Sequence, residues 1–143
     1  MLYLEHVNLV VKDISRALIF YKAAFPHWRI RGEGKSTWSG KPRRWLHFGD
    51  DQLYIAFSDH GEQNIRDNSG FQVGLSHIAF VTDELAQLTQ RLKIAGFIGE
   101  EGDGSSGVRS NTYFVDLDGY EIEFVEYTSE EISVRNDYTQ TTC

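Results

Sequence analysis

Apolar side chains along this chain switch between two periods, and the switches mark its elements. Residues 2–11, Leu-Tyr-Leu-Glu-His-Val-Asn-Leu-Val-Val, are rich in β-branched and aromatic types and predict a strand. Ile14, Ala17, Leu18, Tyr21 and Phe25 then form the stripe of an amphipathic helix, with Asp13 as its cap and Pro26 as its stop. Residues 27–31 predict a second strand, and a polar stretch with Gly32, Gly34, Gly40 and Pro42 predicts a loop. Residues 44–48 and 53–58 predict two strands joined by a Gly49-Asp50-Asp51 turn.

After a polar, aperiodic linker at 59–73 the plan restarts. Residues 75–81 predict a strand, and Leu85, Leu88 and Leu92 mark a helix face that Gly96 ends. Phe97 and Ile98 predict a short strand, followed by a Gly/Ser-rich loop at 99–110. Residues 113–115 and 121–127 predict a closing hairpin around Asp116-Leu117-Asp118-Gly119, and the tail from 128 to 143 is polar. The order of elements is thus repeated. His6 and His77 hold one slot of the first strand, and Leu9/Phe80, Ile14/Leu85, Ala17/Leu88 and Tyr21/Leu92 match at the same offset. The expected organisation is one domain over residues 1–127, with one module at about 1–58 and a second at about 74–127.

The net charge of −7, from 14 Lys and Arg against 21 Asp and Glu, argues against a nucleic-acid partner. The single cysteine, Cys143, excludes an internal disulfide and a cysteine metal site. No apolar run reaches the roughly 20 residues of a membrane span, and no basic-then-apolar leader opens the chain. A cytoplasmic protein without a membrane partner is therefore expected.

His6, His77 and Glu123 are the residues of greatest chemical interest. Two imidazoles at equivalent strand positions and a carboxylate on the last strand form a candidate site for a divalent metal. His47, on the third strand, is a candidate general base, and Tyr113 a candidate donor to a substrate oxygen, with Tyr120 nearby. Arg43, Arg44 and Arg109 are candidate carboxylate clamps, and Trp38 and Trp45 candidate walls of an aromatic pocket. Each of these has an ordinary alternative as packing or solvated surface, which is the reading for His27 and His60.

Three segments resemble those of a known superfamily. Leu4 to Val11 followed by Asp13-Ile14 and Phe20-Tyr21 is similar to the opening of vicinal oxygen chelate proteins, the glyoxalase, bleomycin-resistance and extradiol dioxygenase group. Residues 74–80 are similar to the start of their second module, and residues 116–124 to their closing Asp-x-Asp-Gly segment with its glutamate. The resemblance covers residues 2–127 and implies an α+β fold of two βαβββ modules, whose curved mixed sheets enclose a cavity. It also implies metal ligands at His6, His77 and Glu123. A fourth ligand, as in glyoxalase I-like members, would fall at residues 53–57. Laying residues 50–55 on 118–123 sets Ile55 opposite Glu123, with Tyr54 or Ala56 one register away. None of the three is a usual ligand, so the chain departs from the four-ligand pattern and keeps a two-histidine, one-glutamate set similar to that of extradiol dioxygenases.

The resemblance implies a metal-dependent lyase, isomerase or ring-cleaving dioxygenase. Its substrate would be a small oxygenated molecule chelating Fe, Mn, Zn or Ni. The alternative is a metal-free protein that sequesters a small toxic ligand, as bleomycin-resistance members do. A homodimer is expected in either case, because each small module buries little surface alone and the linker is long enough to exchange modules between chains.

Overall fold

In a computed structural model describing residues 1–103 and 106–139, the chain forms two compact units that meet in sequence between Asn64 and Ile65. The first contains β1 (His6–Val10), α1 (Ile14–Ala24), β2 (Arg29–Trp38), β3 (Lys41–Gly49) and β4 (Tyr54–Ser58). The second contains β5 (His77–Val81), α2 (Leu85–Ile94), β6 (Glu100–Glu101), β7 (Arg109–Val115), β8 (Glu121–Tyr127) and the short helix α3 (Ile132–Arg135). The fold is α+β, built from two βαβββ units.

In the first unit the sheet order is β1-β4-β3-β2, with β1 parallel to β4 and the other pairs antiparallel. Side chains alternate across a strand, so each strand offers one set to the helix and one to the opposite, open face. Leu9, Leu46, Phe48, Ile55 and Phe57 are buried on the helix side. Ile14, Ala17, Leu18 and Tyr21 of α1 are buried as well, and the Tyr21 and Phe57 rings pack edge to face at 5.0 Å. Asp13 caps α1 by accepting from the Arg16 amide at 2.7 Å. His6, Asn8, Tyr54, Ala56, Ser58, Arg43, Trp45 and His47 share the open face, as the paired registers require.

The second unit repeats the plan with order β5-β8-β7-β6 and β5 parallel to β8. Leu85, Leu88 and Leu92 are buried, as are Phe114, Ile122 and Phe124. Phe80 stacks on Phe124, and Phe114 meets it edge-on. His77, Glu121, Glu123, Asn111 and Tyr113 share the open face.

Three segments differ from the reading of the sequence. The expected loop after residue 31 is a long β2–β3 hairpin, closed by Ser39 and Gly40 with φ of 48° and 80°. Positive φ at both central residues is the type I′ geometry that matches strand twist. Pro42 is tolerated because β3 pairs with β4 only from Trp45 to Gly49, so its missing N–H removes no bond to β4. The short strand expected at Phe97 lies instead at Glu100–Glu101. Phe97 is buried, and its amide turns back to the Leu92 carbonyl at 2.9 Å to close α2. The tail carries α3, while Cys143 lies outside the described residues.

Burial on α2 is one-sided: Leu92 is 0% exposed and Ile94 78% exposed. Leu92→Ala is expected to cost about 2–5 kcal/mol of unfolding free energy, and Ile94→Ala no more than about 0.5 kcal/mol. Chemical denaturation of both variants checks this. Equal losses would contradict the assignment of the buried face.

Candidate functional site

The parallel pairs fix the site residues by register. In the second unit His77 lies beside Glu121, and Ala79 beside Glu123. In the first unit His6 lies beside Tyr54, and Asn8 beside Ala56. With the two histidines equivalent, Ala56 is the counterpart of Glu123, correcting the sequence alignment that paired Glu123 with Ile55. His47, the β3 neighbour of Ala56, is likewise the counterpart of Tyr113, the β7 neighbour of Glu123.

The second unit holds a buried carboxylate. Glu123 is 6% exposed. Its Oε2 lies 3.2 Å from His77 Nε2, and its Oε1 accepts from Asn111 Nδ2 at 2.8 Å. The Tyr113 hydroxyl also hydrogen-bonds Glu123. Burial, first, and then the neighbouring Glu123 charge push the Tyr113 phenol above its ordinary range, so it remains a protonated donor at neutral pH. The Tyr113 ring meets His77 edge-on at 5.4 Å. Glu121 Oε1 is 3.8 Å from His77 Nδ1.

The first unit presents its histidine in a related way. His6 Nδ1 lies 2.9 Å from Glu5 Oε1, which also accepts from the Tyr54 hydroxyl at 3.0 Å. The bond to His6, first, and that to Tyr54 hold the Glu5 carboxyl below its usual range. The Tyr54 ring stacks with both His6 and His47, at 4.7 and 4.6 Å. Burial, first, and the nearby His6 and Arg31 charges lower the His47 imidazole, leaving it neutral at pH 7. Each strand histidine thus has a glutamate on the Nδ1 side, hydrogen-bonded at His6 and 3.8 Å away at His77. A carboxylate partner on the second ring nitrogen is the usual support of a metal-bound imidazole.

The donor chemistry fits a metal in part. Two donors cis to each other at about 2.1 Å from one ion are about 3 Å apart, and His77 Nε2 and Glu123 Oε2 meet that spacing at 3.2 Å. Among the described residues, no group of three or more His, Cys, Asp or Glu side chains is gathered to hold an ion. The structure therefore brings together His77 and Glu123, with Tyr113 beside them, while His6 and His47 belong to the other unit. Tyr120 lies in the turn before β8, its amide bonded to Asp116. Arg44 faces Glu33 at 3.6 Å. Asn111, Glu5 and Glu121 escaped the sequence reading. Asn111 stands two residues before Tyr113, and the alternation of a strand begun at Arg109 would have revealed it.

A model of the Glyoxalase/Bleomycin resistance protein/Dioxygenase superfamily matches residues 3–124. Among solved structures, a glyoxylase/bleomycin resistance protein/dioxygenase domain from Frankia sp. EAN1pec is similar at 20% identity and TM-score 0.73, covering 92% of this chain and 96% of that one. A glyoxalase family protein from Bacillus cereus is similar at 14% identity and TM-score 0.71, over 90% and 96% of the two chains. The fosfomycin resistance protein FosX from Listeria monocytogenes, complexed with Mn(II) and sulfate, is similar at 22% identity and TM-score 0.65, over 92% and 97%. No curated protein matches at the level of sequence.

The lowered His47 has a consequence for stability. An unfolded imidazole titrates near 6.5, above the folded group, so the unfolded state takes up the proton first as pH falls. His47 therefore removes stability below about pH 6.5, until it protonates in the native state as well. Unfolding at pH 8 and pH 5 should show a larger loss for the native chain than for His47→Gln. Equal losses would mean that His47 is not desolvated.

Proposed function

The chain belongs to the Glyoxalase/Bleomycin resistance protein/Dioxygenase superfamily, and from that premise we propose that it is a metal-dependent enzyme acting on a small molecule with two neighbouring oxygens. His77 and Glu123 hold the ion, and His6 completes the set. The observation that carries this reading is the buried Glu123 carboxylate set 3.2 Å from the Nε2 of the more exposed His77. A carboxylate buried without a cation is costly, and here it is fastened by Asn111 and Tyr113 with one oxygen directed at an imidazole. A divalent ion bound there, Fe, Mn, Zn or Ni, supplies Lewis-acid stabilisation of an anion spread over the two substrate oxygens.

The remaining work falls to the side chains. His47, neutral at pH 7, accepts a proton from the substrate. Tyr113 stays protonated and donates to the carboxylate or to a substrate oxygen. Glu5 orients His6 through a hydrogen bond to Nδ1, and Glu121 places a negative charge 3.8 Å from His77 Nδ1. Ala56, where the second unit has Glu123, leaves three protein ligands and so open positions for substrate. The same Ala56 favours the second reading, a metal-free binder that sequesters a small ligand.

We also propose that the chain works as a homodimer, with His6 of one copy serving the His77 and Glu123 of the other through exchanged modules. The halves are oppositely charged. Residues 1–64 carry nine Lys and Arg against seven Asp and Glu, and residues 65–143 carry five against fourteen. Leu2, Tyr3, Phe71 and Val73 are largely exposed and suit a protein interface.

Elemental analysis separates enzyme from binder. The purified native protein should hold about one divalent ion per site, and His77→Ala should lose it while its far-UV circular dichroism is unchanged. Full metal content in His77→Ala, or none in the native protein, would transfer the assignment to the binder. For the dimer, light scattering should give twice the chain mass. Mixing equal amounts of His6→Ala and His77→Ala chains should restore metal to about one site in two of the mixed dimers, about one in four overall, and a monomeric mass or no recovery would reject exchange.

A further inference from the structure

The open face of the first unit carries a recess that adjoins His47 and Ala56 and in which Arg43 and Trp45 have no part in the metal reading. It measures about 250 Å³ and is lined by Asn8, Arg43, Trp45, His47 and Ala56. Arg43, Trp45 and His47 are alternate residues of β3, so they point the same way along one strand. Ala56, the β4 neighbour of His47, forms the floor in the slot that Glu123 fills in the second unit.

Two features make this a built recess. The first is the pose of Trp45. Its indole lies across the neighbouring strand, over Gly34, where a Cβ would come within 2.8 Å of the ring. The missing side chain at Gly34 is therefore what lets the indole lie flat as an aromatic wall. The second is the fixed orientation of Arg43. Its Nε donates to Ser36 Oγ at 3.0 Å and its Nη1 to Ser58 Oγ at 2.9 Å, with Ser58 held in turn by His60 Nδ1 at 2.6 Å. These bonds occupy two corners of the guanidinium and fix its plane. Among the described residues it forms no ion pair with a carboxylate, and its Nη2 has no hydrogen-bond partner. The guanidinium lies 5.4 Å from the Trp38 ring on one side, and Trp45 is the next residue along β3 on the same face. A half-buried, oriented cation without an anion, next to an indole, is a receptor for an anionic ring.

We propose that this recess binds a small monocyclic aromatic acid, with its ring against Trp45 above Ala56 and its carboxylate on Arg43. A liquid water occupies about 30 Å³, so the volume admits about eight or nine non-hydrogen atoms, the size of a benzoate. Guanidinium grips a carboxylate directionally, and an indole offers its face to a ring. The acid end at Arg43 leaves the opposite edge of the ring towards His47, two positions along β3 from Trp45. The inference rests on the enzyme reading for the fate of the acid, and not for its binding.

The test is isothermal titration of the full chain with benzoate, benzyl alcohol and cyclohexanecarboxylate, in metal-loaded and chelator-treated protein. Benzoate is expected to bind saturably in both, and each of the other two at least tenfold more weakly. Arg43→Gln should weaken benzoate at least tenfold. Ala56→Leu fills the floor without touching the Ser36–Arg43–Ser58 bracket, and should abolish binding in a chain whose circular dichroism is native. Absence of saturable benzoate binding would overturn the proposal, as would equal affinity for benzyl alcohol or undiminished affinity in Ala56→Leu. The two readings fail separately. Metal retention without benzoate binding removes only the recess, and benzoate binding in a chain that never holds metal removes only the enzyme.

Discussion

A carboxylate buried on a sheet sets the terms for the second unit. Taking an ionised glutamate out of water costs several kcal/mol unless donors or a cation replace the lost hydration. Glu123 is answered from three directions: Asn111 at one oxygen, His77 at the other, and the Tyr113 hydroxyl. Each partner sits on a strand hydrogen-bonded within the same sheet, so the sheet register, and not a flexible loop, positions the polar cluster. A slip of one residue would turn Glu123 into the apolar layer under α2. Phe80, Phe114, Ile122 and Phe124 on the helix side oppose such a slip, each apolar side chain contributing about 1.5–3 kcal/mol when fully buried. Packing on one face therefore fixes the chemistry on the other.

The first unit builds the same frame with different side chains on its open face. Its histidine keeps a glutamate at Nδ1, but the buried carboxylate is replaced by Ala56 and the phenol by His47. Where the second unit concentrates negative charge, the first opens a recess beside Arg43 and Trp45. The repeated architecture thus carries a buried carboxylate cluster in one half and a recess in the other.

Much of this was legible in the sequence. The strand–helix switch of period at Asp13, the leucines of α2 and the closing hairpin follow from alternation and capping, and these decide the fold. The β2–β3 hairpin was hidden because Gly32, Gly34, Gly40 and Pro42 are residues of loops. Only the fold shows that Gly34 makes room for Trp45 and that Pro42 lies beyond the pairing with β4. The counterpart of Glu123 was missed by one residue, since turns of unequal length precede β4 and β8 and only strand pairing fixes the register. His6, His77 and Glu123 stood out by type and spacing. Asn111, Glu5 and Glu121 did not, because their roles are to support other side chains.

The proposed metal centre needs His77 and Glu123 to hold a divalent ion with His6. Anomalous diffraction from a crystal of the protein grown with Mn(II) tests it most directly. A single strong peak is expected about 2.0–2.2 Å from His77 Nε2 and from a Glu123 carboxylate oxygen, with a His6 imidazole as the third protein ligand. A map without that peak, or with manganese bound only away from His77 and Glu123, would contradict it.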